Sequence, residues 1–337
     1  MKILIHQENL YSYRTGLFKA LTKHGHDIQI LTSNNTLKNE GCMSFEIKEF
    51  RSFSICGLKW ANFFTFQSFK GHDYIILLPN LRYLHVIFWT LILSQKKLIF
   101  WGYEESENSW LINRMKRLLF RGSKYIIYNA DYQKKLPIKI QVKSIVANNT
   151  MFVTNSGPSH AKKISFLYVG RLQKRKRLDL LIECFSELLQ FNNELILDIV
   201  GEGDEEFENL QRLVEDKGIV KHVNFHGKIT NDIELGRLFG RAYAYVSPDA
   251  IGLGGQHSFA YGVPVVTAGD GFKGPEFVHM RNGENCLLTD KSMTLYVALR
   301  KIIEPEINKQ LSQGAYSYHL ANLSPEIMVT GFLKALV

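Results

Sequence analysis

The segment from Ser247 to Val266 holds the residues whose types and spacing are best suited to chemistry. Asp249 offers a carboxylate and His257, eight positions later, offers an imidazole. Three glycines lie between them: Gly252, Gly254 and Gly255. An apolar, strand-like run precedes the glycines and a helical pattern follows them, and the backbone N–H groups at the start of such a helix suit a phosphate or diphosphate. A glycine turn alone also serves simply to reverse the chain, so the surrounding residues must decide.

The end of this segment is S-F-A-Y-G-V-P-V-V, in which Gly262 and Pro264 end the helix and a valine pair opens the next strand. The whole string resembles the donor-site signature of family 4 of the retaining glycosyltransferases, as in bacterial enzymes of O-antigen and capsule synthesis. In that family an acidic residue, seven residues and a glutamate precede A-x-G-x-P-V-V. The resemblance implies that Asp249 holds the transferred sugar and that His257, in place of the glutamate, binds the nucleotide ribose. A histidine can hydrogen-bond a ribose hydroxyl but cannot act as a carboxylate.

A basic string, G-R-L-Q-K-R-K-R, follows another strand-like run. The family shows V-G-R-L, three residues and then K-G at this point, so Arg171 and Lys176 stand at its two basic positions and Arg177 replaces the glycine. The resemblance implies that Arg171 and Lys176 hold the donor diphosphate, together with the backbone N–H groups around Gly254 and Gly255. Such groups stabilise the charge of a departing diphosphate without a metal. A solvated charged loop is the alternative, and it would explain the charges but not their spacing.

Two places in the first half of the chain supply further candidates. Arg14 and Gly16 lie between the first strand-like run and a helix, where the resemblance assigns Gly16 to the diphosphate and Arg14 to the acceptor side. Tyr103 and Glu104 follow the strand-like run that ends at Trp101, and ligands of parallel sheets bind beyond the carboxyl ends of strands. Relatives in surface polysaccharide synthesis have W-G-H-G there, which implies that Tyr103 and Glu104 face the reacting sugar as catalytic candidates. For both pairs an ordinary loop is the alternative interpretation.

The composition is typical of a globular protein with two domains: 337 residues, 45% apolar and 22% charged. The opening Met1 to His6 leads directly into a strand-like run, so no signal peptide is expected. The apolar stretch Leu84 to Leu93 is too short to span a bilayer and is predicted to be a core helix. Four scattered cysteines without metal-ligand spacing are interpreted as reduced thiols of a cytoplasmic protein: Cys42, Cys56, Cys184 and Cys286.

The positive charge is concentrated in the first half of the chain. Residues 1–150 hold 21 Lys and Arg against 10 Asp and Glu, whereas the remainder holds 20 against 22. A basic half suits nucleic acid, anionic lipid or an anionic acceptor, and nucleic acid is the least favoured because no nucleic-acid-binding motif is found. In the segment Trp110 to Lys124 a basic helical face accompanies an apolar face that is expected to be core. The basic face is a candidate contact with an anionic membrane surface, and a solvated face is the alternative.

Strand-like runs alternate with helical patterns along the chain, which predicts parallel sheets of the α/β class. The resemblance implies the GT-B fold, with two Rossmann-like domains that face each other across a cleft. The predicted domains are residues 1–155 for the acceptor and residues 164–315 for the nucleotide-sugar donor. Residues 316–337 are predicted as a C-terminal helix that packs back on the first domain, and residues 154–163 have the composition of a linker.

The function implied is a retaining, metal-independent glycosyltransferase that needs no cofactor and uses a UDP- or GDP-linked sugar as its donor. Its acceptor would be a glycan or a lipid-linked oligosaccharide, and the protein would be cytoplasmic or peripheral on the inner face of the plasma membrane. The residues at Tyr103 and His257 leave two alternatives open. One is a nucleotide-sugar epimerase of the same fold, which needs acid and base groups on both sides of the sugar. The other is a non-catalytic subunit that binds sugar nucleotides.

Overall fold

The chain forms two compact units. The computed structural model describes residues 1–37, 43–61, 69–105, 109–153, 156–270 and 274–337. Unit 1 comprises Met1–Phe152 and Pro325–Val337, and unit 2 comprises Val153–Ser324. Cys42 and residues 154–155 of the predicted linker lie outside the described residues.

The elements of unit 1 alternate between strands and helices around a short hairpin. In chain order they are β1 (Lys2–Leu10), α1 (Ser12–Lys23), β2 (Asp27–Asn35), β3 (Glu46–Glu49), β4 (Ser52–Ile55), β5 (Leu58–Ala61), β6 (Tyr74–Leu77), α2 (Leu84–Ile92), β7 (Leu98–Trp101), α3 (Trp110–Leu119), β8 (Lys124–Ile127), α4 (Ala130–Lys135), α5 (Ile138–Gln141) and β9 (Ser144–Val146). A parallel sheet joins the strands in the order β3-β2-β1-β6-β7-β8-β9, and β4 pairs with β5 in an antiparallel hairpin.

Unit 2 repeats the pattern with a second parallel sheet. Its elements are β10 (Ser165–Val169), α6 (Leu178–Leu188), β11 (Ile196–Val200), α7 (Asp204–Asp216), β12 (Val223–Phe225), α8 (Asp232–Arg241), β13 (Ala242–Ser247), α9 (Leu253–Ala260), β14 (Val265–Ala268), β15 (Cys286–Thr289), α10 (Leu295–Ile302) and α11 (Pro305–Tyr318). The strands are ordered β12-β11-β10-β13-β14-β15. The next helix, α12 (Pro325–Ala335), belongs to unit 1.

Helices cover both faces of the unit 1 sheet. The odd-numbered Ile3 and Ile5 of β1 pack in a cluster with residues of α1 and α12, whereas Leu4 packs with residues of α2. On α12, the ring of Phe332 meets that of Trp101 edge to face, with centroids 4.9 Å apart. Burial on both faces explains why β1 begins as a near-continuous apolar run instead of an alternating one.

The start of α1 differs from the prediction. The expectation that Arg14 and Gly16 lie between the first strand-like run and a helix is wrong, because β1 continues to Leu10 and α1 begins at Ser12. β1 pairs with β2 along this stretch, as far as Leu10 beside Asn35, so ladder hydrogen bonds hold polar residues that have no strand pattern of their own. As a result, the candidates at positions 14 and 16 lie within the helix.

The apolar face of α3 also differs from the prediction. The expectation that it is core is wrong, because no residue of α3 is buried and Leu111, Met115 and Leu118 are 60%, 46% and 59% exposed. The Trp110 side chain is 69% exposed. Helix α3 therefore presents both an apolar and a basic surface to solvent. In the described part of the chain, no helix is long and apolar enough to cross a membrane.

Candidate functional site

The predicted donor residues of unit 2 lie at the point where its strand order reverses. The chain leaves the neighbouring strands β10 and β13 toward opposite edges of the sheet. Open α/β sheets bind ligands beyond the carboxyl ends of the strands at such a switch point. The loop after β10 carries Arg171 and Lys176, and the loop after β13 carries Asp249 and leads into α9. The fold thus brings these three residues to one edge of the sheet.

Lys176 lies at the N-terminus of α9. Its Nζ donates a hydrogen bond to the carbonyl oxygen of Ala250. A Cβ built on Gly252, the N-cap of α9, would lie 3.7 Å from the same nitrogen. Burial and the neighbouring Arg175 lower the pKa of the Lys176 ammonium to about 8. Its charge therefore adds to the partial positive charge of a helix N-terminus, a combination that favours an anion.

Two carboxylates accompany this ammonium. Asp249 and Glu276 both raise the pKa of Lys176 and so oppose the effect of its burial. The Asp249 carbonyl oxygen accepts a hydrogen bond of 3.2 Å from Thr267 Oγ1, which ties the loop to β14. The sequence did not indicate a role for Glu276. A short 3-10 turn at Pro275–His279 sets its position, and the sequence G-P-E-F is only a weak signal of such a turn.

The two glycines of the first turn of α9 are required by packing. A Cβ on Gly254 would lie 2.5 Å from Tyr245 Oη and 2.7 Å from the Val169 carbonyl oxygen. A Cβ on Gly255 would lie 2.8 Å from a methyl carbon of Ile251. The Gly255 N–H donates to the Gly252 carbonyl at 3.0 Å, so it serves the helical turn itself. The diphosphate contacts assigned to these two glycines stay a prediction.

The loop after β10 explains why a glycine suits the position of Arg177. Arg177 has a left-handed backbone, with φ 52° and ψ 43°, which glycine adopts without steric strain. Its Nε pairs with Asp179 at 3.1 Å. Arg171 is exposed in the same loop, and its carbonyl oxygen accepts a hydrogen bond of 2.9 Å from Tyr168 Oη. The loop is thereby fixed to β10 while the Arg171 side chain faces solvent.

His257 lies in the core of unit 2. Its side chain is 3% exposed and packs against the rings of Phe239 and Tyr261, with centroids 4.9 and 5.5 Å away. Burial lowers the pKa of the imidazole to about 4, so it is neutral at physiological pH. Its Nε2 has no hydrogen-bond partner among the described residues. The ribose contact assigned to His257 stays a prediction, and the structure does not present this side chain at the sheet edge.

A groove of about 910 Å³ lies beside the loop after β10. Lys174 and Arg175 line one part of it, but the first turn of α7 contributes the three acidic side chains Asp204, Glu205 and Glu206. Because these carboxylates would repel a diphosphate, the groove is a poorer anion site than the N-terminus of α9.

A buried ion network holds the neighbouring strands together. Asp198 on β11 is fully buried and accepts hydrogen bonds from His226 Nε2 at 2.8 Å and from Arg241 Nη2 at 2.6 Å. Arg241 Nε adds a third at 3.1 Å, to the other carboxylate oxygen, and Asn224 Nδ2 adds a fourth at 3.1 Å. Although burial alone would raise the pKa of Asp198, these bonds hold it below its ordinary value. His226, at the end of β12, is therefore anchored to the sheet.

Arg14 and Gly16 have packing partners inside unit 1. Arg14 Nη1 donates to Asn149 Oδ1 at 3.1 Å, and its guanidinium lies 4.2 Å from the ring centroid of Trp101. A Cβ on Gly16 would lie 2.3 Å from the Phe152 side chain, so glycine at this position lets that ring pack against α1. These contacts give both residues a structural role, and their predicted contacts with acceptor and diphosphate stay predictions.

Tyr103 is buried beneath the surface of unit 1. It is 1% exposed, its ring packs 4.9 Å from that of Tyr125, and its Oη donates to Glu105 Oε1 at 3.0 Å. Burial and the Glu105 carboxylate raise the pKa of Tyr103. Arg117 also holds Glu105, because its Nε donates to the same Oε1 at 2.8 Å and its Nη2 donates to Oε2 at 2.5 Å. Glu104 is exposed, so of the two catalytic candidates in this loop only Glu104 faces solvent.

The comparison with protein families matches a segment that lies within unit 2. Residues 153–318 match the family "Glycosyl transferases group 1". No curated protein sequence matches the chain.

Several solved structures share its fold over nearly the whole length. A glycosyltransferase from Rickettsia africae superposes with a TM-score of 0.75 at 15% identity, covering 99% of this chain and 97% of its own. HepE of Anabaena, in complex with UDP and glucose, has a TM-score of 0.74 at 15% identity over 100% and 99%. The lipopolysaccharide outer core galactosyltransferase WaaB has a TM-score of 0.64 at 17% identity over 100% and 99%.

These similarities confirm the predicted α/β fold with two Rossmann-like domains. The family match covers the unit whose switch point carries Arg171, Lys176 and Asp249. Residues 153–318 thus resemble the family "Glycosyl transferases group 1", within a chain that has the GT-B fold.

Proposed function

We propose that this protein is a retaining glycosyltransferase that moves a sugar from a nucleotide-diphosphate sugar to a glycan or lipid-linked acceptor. The observation that carries the proposal is the position of Lys176 at the N-terminus of α9, with Asp249 beside it. A helix N-terminus and an ammonium suit the diphosphate, and a neighbouring carboxylate suits the hydroxyls of the attached sugar. All of these groups lie within residues 153–318, the part of the chain that matches the family "Glycosyl transferases group 1".

The proposed chemistry depends on charge stabilisation. As the bond between the sugar and the diphosphate breaks, negative charge grows on the departing phosphate oxygens. The Lys176 ammonium and the Arg171 guanidinium stabilise that charge, and this stabilisation lowers the barrier. Asp249 positions the sugar through its hydroxyls. The acceptor attacks from the face that the diphosphate leaves, so the anomeric configuration is retained, and these cationic groups serve without a metal at this site.

The donor is proposed to be a UDP- or GDP-linked sugar. HepE, which has the same fold, was crystallised with UDP and glucose, so UDP-glucose is the first compound to test. His257 offers no carboxylate for the ribose. We therefore expect the diphosphate to supply most of the nucleotide affinity.

The acceptor is proposed to be displayed at an anionic membrane, with surface polysaccharide as the product. Helix α3 supports this because it exposes Trp110, Leu111 and Leu118 beside the basic Arg114 and Arg117. Exposed apolar side chains bordered by basic residues are the pattern of helices that lie in a membrane interface. WaaB, with the same fold, acts on the lipopolysaccharide outer core. Peripheral binding on the inner face of the plasma membrane is the corresponding location.

The test of the donor site is a thermal-shift and calorimetric panel of UDP, GDP, CMP and ADP with their common sugars. A ligand at ~100 times its Kd stabilises the folded state by roughly 2.7 kcal/mol. We expect one diphosphate nucleotide to raise the Tm of the wild type and to have little effect on Arg171→Ala. Lys174→Ala, in the same loop, is the matched control and should respond like the wild type.

Each outcome of the panel has a distinct meaning. A response lost only in Arg171→Ala supports the proposed donor site and names the donor. Tight binding without turnover of any acceptor would favour the non-catalytic subunit, and epimerised free nucleotide sugar in the absence of acceptor would favour the epimerase. If no nucleotide shifts the Tm, the proposal is wrong.

A further inference from the structure

Three side chains of metal-ligand type converge at the switch point of the unit 1 sheet, where β1 and β6 are neighbours. His6 and Glu8 are two residues apart on β1 and share one face, and His85 lies in the first turn of α2, which follows β6. Their exposed fractions are 0%, 2% and 2%. One ligand atom from each lies within 4.8 Å of the other two, and His6 Nε2 is 3.9 Å from Glu8 Oε2.

These side chains have polar atoms without hydrogen-bond partners in the described ranges of the chain. The atoms are both ring nitrogens of His6, Nε2 of His85 and Oε2 of Glu8. A buried polar atom with no partner destabilises a folded protein, and such atoms are rare. Because all three side chains have one at the same point, a single shared partner best accounts for one such atom on each of them.

The second polar atoms of His85 and Glu8 are held as the outer atoms of metal ligands usually are, whereas the second ring nitrogen of His6 has no partner in the described ranges. His85 Nδ1 lies 3.4 Å from the Lys59 carbonyl oxygen, so this N–H fixes the tautomer in which Nε2 carries the lone pair. Glu8 Oε1 accepts hydrogen bonds from Lys59 Nζ at 2.7 Å and from Ser52 Oγ at 3.5 Å. Oε2 is then left to face His6.

We propose that His6, Glu8 and His85 bind a divalent transition metal, with Zn²⁺ as the best fit, as a resident structural ion of unit 1. Two imidazoles and one carboxylate are ligands that Zn²⁺ takes, with bonds of about 2.0–2.2 Å, and a water would complete its tetrahedral coordination. Since the ligand atoms are now up to 4.8 Å apart, small side-chain rotations close them around the ion. The site belongs to unit 1 and does not include the donor residues of unit 2.

Aromatic side chains enclose this cluster. The ring of Trp89 lies 5.4 Å from that of His6 and 4.8 Å from that of His85, and Tyr83 stacks on His85 at 5.7 Å. Phe50 meets His6 at 5.7 Å. Catalytic zinc sites keep a position open to substrate, whereas this one is enclosed by rings. The ion therefore serves to join the carboxyl half of β1 to the start of α2.

Lys59 places a positive charge near the ion and limits its affinity. Its Nζ binds Glu8 Oε1, while the metal binds Oε2, so the two cations share one carboxylate. The Lys59 side chain is 36% exposed, and water therefore screens part of its charge. Replacing Lys59 by Gln, which keeps a donor for Oε1, is expected to tighten Zn²⁺ binding.

The test begins with the full-length wild type. The protein is treated with dipicolinate, dialysed, and titrated with Zn²⁺ while its Tm is recorded, and bound metal is measured by mass spectrometry. Co²⁺ is titrated in parallel, because its visible spectrum reports tetrahedral nitrogen and oxygen ligands. We expect one ion per chain, a Tm that rises with Zn²⁺, and a Tm that falls with chelator.

Variants then assign the ligands. Glu8→Gln and His85→Gln should each weaken Zn²⁺ binding by more than about 100-fold, the upper end of the loss seen for outer partners of metal ligands. His72→Gln, at another buried histidine of unit 1, is the matched control and should bind Zn²⁺ like the wild type. If the wild type binds no ion and its Tm ignores Zn²⁺, the proposal is wrong and water joins these side chains instead. Equal loss of binding in His72→Gln would also overturn it.

Discussion

The two switch points of this molecule hold polar side chains in opposite environments. In unit 2, Arg171 is exposed and Lys176 and Asp249 are partly exposed, so water solvates them in the absence of a ligand. In unit 1, His6 and Glu8 are sealed beneath aromatic rings with atoms that have no protein partner in the described ranges. The same topology thus provides an open edge, suited to a ligand that binds and leaves, and a closed one, suited to a partner that stays.

The first prediction concerns a third environment for polar side chains, in which a buried charge has its hydrogen-bond partners within the protein. Asp198→Ala should lower the free energy of unfolding by about 3–5 kcal/mol, because it leaves Arg241 and His226 without their shared carboxylate. Urea unfolding at neutral pH measures the loss. Asp179→Ala removes the exposed pair with Arg177 and, as the control, should cost less than about 1 kcal/mol. Similar losses in both variants would contradict the distinction between buried and exposed pairs.

The same network predicts a dependence on pH. Since the pKa of Asp198 is lower in the folded protein than its ordinary value, the network contributes its stability above the ordinary pKa of about 3.9. That contribution is lost as the pH falls through the lowered folded value. Unfolding curves at acidic pH should therefore converge for the wild type and Asp198→Ala.

The second prediction concerns catalysis at the open edge. Asp249→Ala should lower the transfer rate by roughly 10²–10³-fold, the loss typical of a group that stabilises or positions the reacting charge. It should keep much of the nucleotide affinity, because Arg171 and Lys176 are unchanged. Initial rates and calorimetry measure the two effects, and Glu208→Ala, at a surface ion pair, serves as the control. Unchanged turnover would remove Asp249 from the site.

The third prediction uses the titration of Lys176. Its pKa of about 8 means that the free protein loses this positive charge as the pH rises through 8. Donor affinity should then fall by up to about tenfold for each further pH unit, because binding must recover the proton. Lys176→Arg keeps its charge and should show a flat profile over the same range. A fall of equal slope in both proteins would assign the titration to another group.

The smallest expected effect tests backbone strain in the loop after β10. Arg177→Gly should be more stable than Arg177→Ala by about 1 kcal/mol, because only glycine adopts a left-handed backbone without strain. Both variants lose the pair with Asp179, so their difference isolates the backbone. Urea denaturation midpoints compare them directly. An alanine variant as stable as the glycine variant would contradict the explanation.

Local pattern predicted the parallel sheets and the segments at the open edge. Arg171, Lys176 and Asp249 each lie just beyond a buried strand, and strands that run in parallel bring such positions to one edge. Arg177 was noted only as a residue that stands where relatives have glycine, and the structure adds that its backbone is left-handed. The local sequence was enough to predict these features because each of them depends on a few consecutive residues.

The directions of side chains and the contacts between distant parts of the chain could not be predicted from local sequence patterns. A motif position fixes where the backbone of His257 runs, but the packing of Phe239 and Tyr261 turns its imidazole into the core. The sequence did not indicate the cluster of His6, Glu8 and His85, because His85 is far along the chain from the other two. Only the pairing of β1 with β6 brings them together. No spacing rule connects residues that meet through tertiary structure.

The return of α12 to unit 1 constrains how the protein is made. Phe332 packs on Trp101, and Lys124 donates a hydrogen bond of 3.1 Å to the Ala335 carbonyl oxygen, so α12 completes a core whose other parts precede residue 153. During synthesis the ribosome delivers all of unit 2 before it delivers this helix. Unit 1 emerges first and is completed last. Until then α1 covers only part of that sheet face, and the apolar surface that α12 will bury stays exposed on the nascent chain, where it favours aggregation.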